Sequence, residues 1–594
     1  MAGESAAAER FQLALGLSPL LARLLAARGW RETEALVEFL HPRLEHAHSP
    51  WLLHGMERAV ERTRAALAAG EAIRILGDYD ADGTLATVTL RQALRTLGGN
   101  VSYALPKRLE EGYGLTSLAM ERAAAEGVTL AITVDTGIRE HAALARAQAL
   151  GLDVIVTDHH LPGAELPPAV AIVNPHQAEC RYPDKGLCGT ALAFKLAQAL
   201  LEGTGDADGS AGASWPPALR SYLKLVAMAT VADAAPLLGE NRVLAKFGLA
   251  GLSEPVNPGL RALLALALPA AEGAAAGRAV SSRDVAFRVA PRLNAAGRMG
   301  GAEQVVELFF APASEAMARA QALEALNQQR QQLCDVIEAE IEARLASAAP
   351  ASGDVLLLAG EGWHRGVLGI VANRVLARTG KAAVIVSLEA AADGSRRAHG
   401  SGRAPEGVHL LERLEACREL FERFGGHAQA VGFTLPAERL PRLRAALERG
   451  PETAAAAPPA AAGFELRLSE ITPALARELA RLEPYGEGNP EPVFVARGVR
   501  IAEPPQRLKE RHLKLTVEQE GTRQTALYWN LWRDGGYQHA PGRPAWEGLE
   551  TGARLDLVFR LESGTHPVYG FRQQLILKDF TLAGAGAAAS LSPL

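Results

Sequence analysis

The run Ala72-Ile73-Arg74-Ile75-Leu76-Gly77-Asp78-Tyr79-Asp80-Ala81-Asp82-Gly83 constrains this chain more than any other, because an apolar segment stops abruptly and carboxylates follow at every second position. Ile73 to Leu76 carry the pattern of a short buried strand, and Gly83 followed by Thr84-Leu85-Ala86-Thr87-Val88 that of a turn running into a helix. The acids therefore stand at the carboxyl end of a strand, where open α/β sheets bind their ligands. Carboxylates packed this closely raise one another's pKa values, and a divalent cation is the usual remedy. Taken alone, the run fits a calcium loop or a solvated turn equally well. A calcium loop would place Glu at its twelfth position, which counted from Asp78 is Thr89, so that reading weakens and the question becomes whether other strand ends supply ligands.

With 594 residues the chain is too long for one core, and length suggests about three or four domains. A net charge of -5 excludes a polybasic nucleic-acid coat but not a localised basic groove. Cys180, Cys188, Cys334 and Cys417 form no CxxC pair, which supports neither a zinc ribbon nor a disulfide framework and suits a reduced cytoplasmic protein. Met1 to Ser5 show no basic segment leading into an apolar core, and no run of 18 apolar residues lacks charge, so a soluble protein without membrane segments is expected.

Residues 1–70 carry helical periodicity, with Trp30 and Trp51 as core anchors. Strand and helix patterns then alternate: Ala72 to Leu76, helix Leu85 to Leu97, Val101 to Ala104, helix Ser117 to Ala125, Leu130 to Val134, helix His141 to Ala149, Val154 to Thr157. This rhythm predicts a parallel doubly wound sheet in a catalytic unit over 71–311. A long helix capped by Ser314 is expected over 312–349, a second, smaller α/β unit over 350–449, and an Ala- and Pro-rich linker over 450–463. Residues 464–594 change to short strands with balanced charge and 12 of the chain's 31 aromatics, which fits an antiparallel OB-type barrel of the kind that binds single strands. Most of those aromatics are expected in its core.

Two further strands end in candidate ligands, Leu130 to Val134 in Asp135 and Val154 to Thr157 in Asp158-His159-His160. A single acid or histidine pair after a strand is more often structural than metal-binding. Three such tips in one sheet reverse those odds, because neighbouring strands lie about 4.8 Å apart and can share ions roughly 3.5 to 4 Å apart. Asp135, alone on its tip, is the natural bridging ligand.

With these residues the sequence resembles the DHH phosphoesterase superfamily, named for the run present here as Asp158-His159-His160. Leu225 to Leu237, with Asp233, looks like its fourth motif and Arg288 to Arg298 like its fifth. Gly362 to Gly369, Gly400 to Arg403 and Gly425 to Ala428 look like the associated DHHA1 domain. With Leu482 to Pro492 opening the barrel, the match is nearest the superfamily's bacterial exonucleases that degrade single-stranded DNA from 5′ to 3′. Ala229 and Ala404 stand where the family pattern leads one to expect Gly and Ser.

The resemblance implies a metal and catalytic shell of Asp78, Asp80, Asp82, Asp135, Asp158, His159, His160 and Asp233, with Asp80, Asp82, Asp135, His159 and Asp233 the strongest ligands and His160 facing the scissile phosphate. It implies two divalent ions, Mn2+ or Mg2+, and the mixed donor set suits either. Arg292 and Arg298, on a Gly-containing loop, are candidates for a phosphate clamp. Arg108, Tyr113 and Asn294, together with His364, Arg365, Ser401, Arg403 and His427 of the second unit, complete the expected substrate contacts. Partners implied by the resemblance are single-stranded DNA, a single-strand-binding protein and a helicase, with the protein a monomer acting in recombination repair and mismatch excision. The rivals are a relative acting on nanoRNA or cyclic dinucleotides, which the terminal 131 residues oppose, and a noncatalytic single-strand-binding scaffold, which the complete set of acids and histidines opposes.

Overall fold

The computed structural model describes residues 2–106, 114–202, 215–268, 279–347, 353–390, 394–448, 463–533, 536–537, 546–566 and 570–583. The alternating patterns after residue 71 form one sheet. Its strands are β1 (Ala72–Gly77), β2 (Asn100–Ala104), β3 (Leu130–Val134), β4 (Asp153–Thr157) and β5 (Ala171–Val173), in the order β2-β1-β3-β4-β5 and all parallel. β3 is buried at every position, as a central parallel strand covered on both faces requires. Gly77 pairs with Val134 and Val134 with Thr157, so Asp78, Asp135 and Asp158 leave three neighbouring strands at one level. The strand order reverses beside β1, which makes this edge the crevice of the sheet.

The helix after β1 spans Ala81–Thr96 and begins inside the acidic run, so Gly83 lies in its first turn rather than in a preceding loop. A Cβ at Gly83 would come within 2.6 Å of the Asp78 amide nitrogen, which is why glycine is needed there. Helices Gly189–Leu201 and Pro217–Ala232 join it in one core containing Leu85, Leu90, Phe194, Val226 and Met228. Within that core Lys195 and Glu240 form a fully buried ion pair of 2.6 Å, and Tyr182 and the His48 amide complete the carboxylate's bonds. Lys195→Met leaves Glu240 buried without its cation, and the expected loss is about 3–5 kcal/mol of stability, measurable by denaturant unfolding.

The helix Ala313–Ser347 starts one residue before Ser314, which therefore lies in the first turn and is not its cap. It packs Cys334, Ile337 and Ile341 against Leu356 and Ile385 of a second sheet and Val371 of the helix Leu368–Thr379. That sheet contains β6 (Val355–Glu361), β7 (Ala382–Ala390), β8 (Arg396–Arg403), β9 (Arg423–His427) and β10 (Ala430–Pro436) in the order β6-β7-β8-β10-β9, with only β6 and β7 parallel. Beyond it, Phe494–Ile501 pairs with both Arg554–His566 and His512–Gln519, closing an OB-like barrel with Thr522–Tyr528 and Gly570–Leu582. Phe494, Phe559 and Phe580 fill its interior.

The leading helical segment divides between two cores. Phe11, Leu21, Leu25, Leu36 and Leu40 pack with Leu466, Phe494, Val517 and Phe559, whereas Leu53, Met56, Ala59 and Ala66 pack beneath the first sheet. The two ends of the sequence thus share the barrel core. Among the described residues no helix is long and apolar enough to cross a membrane.

Candidate active site

The three strand tips and the end of helix Pro217–Ala232 converge. Asp80 caps helix Ala81–Thr96, its Oδ1 accepting from the Gly83 amide at 3.0 Å. Asp82, in the first turn of that helix and buried, accepts from the amides of Gly189 and Thr190 at 2.6 and 2.7 Å, so the positive end of a second helix holds it. Asp135 adopts φ 61 at the end of β3, an uncommon left-handed conformation that aspartate tolerates. A Cβ at Gly189 would approach Asp135 Oδ1 to 2.6 Å, so only glycine admits this carboxylate. His159 Nε2 lies 3.1 Å from Asp135 Oδ1 and 3.9 Å from both Asp82 Oδ2 and Asp233 Oδ2. Three groupings, Asp135-His159-His160, Asp82-His159-Asp233 and Asp78-Asp80-Asp135, each bring their ligand atoms within 4.8 Å.

This donor set fits divalent cations. Asp135 Oδ1 is buried and has no hydrogen-bond partner, although His159 Nε2 lies 3.1 Å away. Burial first, then the charges of Asp82, Asp80 and Asp78, push the Asp135 carboxyl far up. Burial and Asp82 raise Asp80, and burial with Asp82 and Asp80 pushes Asp233 up to about 8. Burial lowers His159, leaving a neutral ring with a nitrogen lone pair to offer. In metal-free protein the folded state therefore holds protons that the unfolded chain releases near the ordinary carboxylate value. Its stability falls as pH rises from that range to about 8, the value for Asp233. The melting temperature of chelated protein is expected to drop between pH 5 and 8, and Mn2+ to restore it. A pH-independent melting temperature would contradict this electrostatic account.

Asp158 belongs to none of these groupings. Its Oδ2 accepts from the Ile138 amide at 2.9 Å, and its Oδ1 from the His160 amide at 3.0 Å and His160 Nδ1 at 2.7 Å. Burial works against the imidazolium, yet the hydrogen bond and charge of Asp158 prevail and raise His160 to about 9. The same pairing holds Asp158 low against its own burial. Asp158 is therefore placed to orient His160.

Beside the carboxylates a cavity of about 270 Å³ is lined by Tyr79, Asp80, Ala81, Asp82, Ala232, Asp233, Asn294, Arg298 and Arg403. Arg403, at the end of β8, brings the second sheet's domain to the first. The two domains also touch where Arg298 Nη1 donates to the Gly366 carbonyl at 3.3 Å. The expected substrate contacts separate here. Arg298 and Arg403 face the cavity, whereas Arg292 is tied to Glu324 and to the Arg288 carbonyl. Arg292 and Arg298 both lie on helix Ala290–Arg298, not on a loop, and six residues at about 100° each put them on different faces. Asn294 lines the cavity while its Oδ1 accepts from the Ala81 amide at 2.9 Å, fixing the start of the acidic helix.

Arg365 is bound through Nε to both oxygens of Glu389, at 2.8 and 2.9 Å, so its guanidinium is occupied by a carboxylate. His364 Nδ1 accepts from the Gly366 amide at 3.1 Å, and Ser401 Oγ lies 3.3 Å from Arg403 Nη1. His427 ends β9 on the exposed surface. Arg108 and Tyr113 lie outside the described residues. Sequence reasoning missed Tyr79, Gly189 and Thr190, although a glycine opening the apolar helix that follows Cys188 is a signal of close backbone approach.

Residues 72–230 match the DHH family, N-terminal domain, residues 352–450 the DHHA1 domain, and residues 463–568 the RecJ OB domain. The chain is 39% identical to the single-stranded-DNA-specific exonuclease RecJ of Dickeya dadantii, over 85% of this chain and 88% of that one. It is 34% identical to RecJ of Bacillus subtilis over 92% of its own length, spanning 66% of that longer relative. Thermus thermophilus RecJ in complex with Mn2+ superposes with a TM-score of 0.75 at 31% identity, covering 98% of this chain and 79% of that one, and its Mg2+ complex with a TM-score of 0.71 at 29% identity, covering 98% and 77%. In sequence, domain order and the convergence of its strand tips, the chain belongs to the RecJ family of single-stranded-DNA-specific exonucleases.

Proposed function

We propose that this chain degrades single-stranded DNA from the 5′ end to 5′-mononucleotides at a site for two divalent ions, Mn2+ or Mg2+, held by Asp78, Asp80, Asp82, Asp135, His159 and Asp233. The observation that carries the reading is the buried, unpartnered Oδ1 of Asp135, central to three acid and histidine tips and beside a cavity bearing two arginines. When bound, two such ions supply charge that activates water and neutralises phosphoryl oxygens. The remaining chemistry belongs to the chain's own groups. The helix amides on Asp82 fix its carboxylate before substrate arrives. Asp158 keeps the His160 imidazolium oriented, so that it can donate to an oxygen on which charge develops. Arg298 and Arg403 approach the backbone phosphates from two domains, enclosing one strand between them.

On this reading the activity would serve recombination repair and mismatch excision in the cytoplasm, the chain acting as a monomer beside a single-strand-binding protein and a helicase. Arg403→Ala removes one charge-assisted contact, worth about 1.5–3 kcal/mol, so kcat/KM is expected to fall ~10- to 100-fold with Mn2+ binding unchanged. Digestion of one oligonucleotide, single-stranded or annealed and labelled at either end, tests the whole reading. Early release of mononucleotide from the 5′ label of the single strand supports it. Cleavage confined to oligomers of two to five residues or to cyclic dinucleotides would sink it, as would binding without cleavage.

A further inference from the structure

The cluster's members are not held alike. Asp82 is fixed by two amides, but among the described residues no hydrogen bond holds the carboxylate of Asp233, so the backbone around it sets its place. Asp233 ends helix Pro217–Ala232, its amide donating to the Ala229 carbonyl at 2.8 Å. Ala234 then turns the chain at φ 54, and Pro236 to Leu238 run out beneath another domain.

What lies on them is the segment Leu482–Asn489, which opens the terminal barrel. The Leu237 amide donates to the Glu487 carbonyl at 2.8 Å. A Cβ on Gly486 would meet Leu237 Cδ1 at 2.7 Å, and one on Gly488 would meet Leu238 Cδ1 at 3.2 Å and Pro236 Cβ at 3.4 Å, so two glycines let this segment lie flat on the chain leaving Asp233. The segment is itself braced. Asn489 Nδ2 donates to the carbonyls of Leu482 and Pro484 at 2.7 and 2.9 Å. Buried Arg242, on the helix that follows Leu238, donates to the carbonyls of Arg481, Leu482 and Glu483 at 2.9 to 3.0 Å and to that of Phe39 at 2.7 Å. One arginine thus joins the catalytic domain, the N-terminal helices and the barrel's opening segment.

We propose that the segment Leu482–Asn489, braced by Arg242, is a positioning element for Asp233 and thereby sets how tightly the site holds its divalent cations. The inference rests on the reading of Asp233 as a metal ligand. It gives the segment that opens the barrel a task at the metal site. By linkage, any change in this contact caused by DNA on the barrel alters metal affinity reciprocally.

Calorimetric titration of the full-length protein with Mn2+ tests it, using Leu237→Ala, Gly486→Val and Asp233→Asn. Leu237→Ala and Gly486→Val are expected to weaken Mn2+ binding by about 10-fold, as removal of supports around a metal ligand commonly does. An unchanged isotherm in both, with binding weakened by Asp233→Asn, would overturn the inference alone. Unchanged binding in Asp233→Asn would overturn the reading of the site instead. Hydrogen exchange of the wild-type protein provides the check should either variant fail to fold. Mn2+ is expected to slow exchange in 230–238 and 482–489 together, and slowing confined to 230–238 would count against the coupling.

Discussion

Asp135→Asn is expected to lower turnover of single-stranded DNA on the order of 10³-fold. The substitution keeps the side chain's shape, and asparagine accepts the left-handed backbone that β3 ends on at φ 61, so the fold is preserved. What it removes is the one carboxylate shared by two of the three ligand groupings, and the charge such a site stabilises is worth several kcal/mol in the transition state. Without metal, the variant is expected to be at least as stable as the parent, because a buried carboxyl repelled by Asp82, Asp80 and Asp78 has been neutralised. Unfolding of the chelated proteins, run beside the activity assay, separates loss of ligand from loss of fold. Near-parental turnover would remove Asp135 from the reaction.

Asp158→Asn carries the second large effect, about 10²-fold in kcat at pH 8. The carboxylate raises His160 to about 9 despite burial, so at that pH the parent ring is mostly cationic. An amide in its place removes the two largest opposing effects and leaves burial countered only by the charges of Asp233 and Asp78, so the ring loses its proton at lower pH than in the parent. The folded pKa is lowered by the substitution, so the cationic ring returns only as pH falls. The deficit is therefore expected to shrink between pH 8 and 6, and a full pH profile of kcat for both proteins reads this directly. A constant ratio across that range would mean that Asp158 acts on His160 through geometry alone.

Much of this is legible in the sequence. The parallel sheet follows from short apolar runs alternating with helical periods, and the clustered acidic strand tips from acids at points where those runs stop. The barrel followed from the change to short strands after the linker. The sequence could not show what long-range packing decides. The acidic run looked like a turn reaching Gly83, but Asp80 caps a helix that swallows Gly83, since Asp78 leaves room there only for glycine. Arg292 and Arg298 looked equivalent until the helix turned one to Glu324 and the other to the cavity. Arg365 looked available until Glu389 met it across the second sheet's domain. The union of the N-terminal helices with the terminal barrel joins the ends of the chain, a contact that no local pattern encodes.

The most direct test of the account is the stoichiometry of Mn2+ binding to the full-length protein and to Asp135→Asn, measured by calorimetry without DNA. Three overlapping ligand groupings, two of which share the Asp135 carboxylate whose Oδ1 has no hydrogen bond, predict two ions per chain in the parent, with at least one lost in the variant. One ion or none in the parent, or the same two in Asp135→Asn, would contradict it.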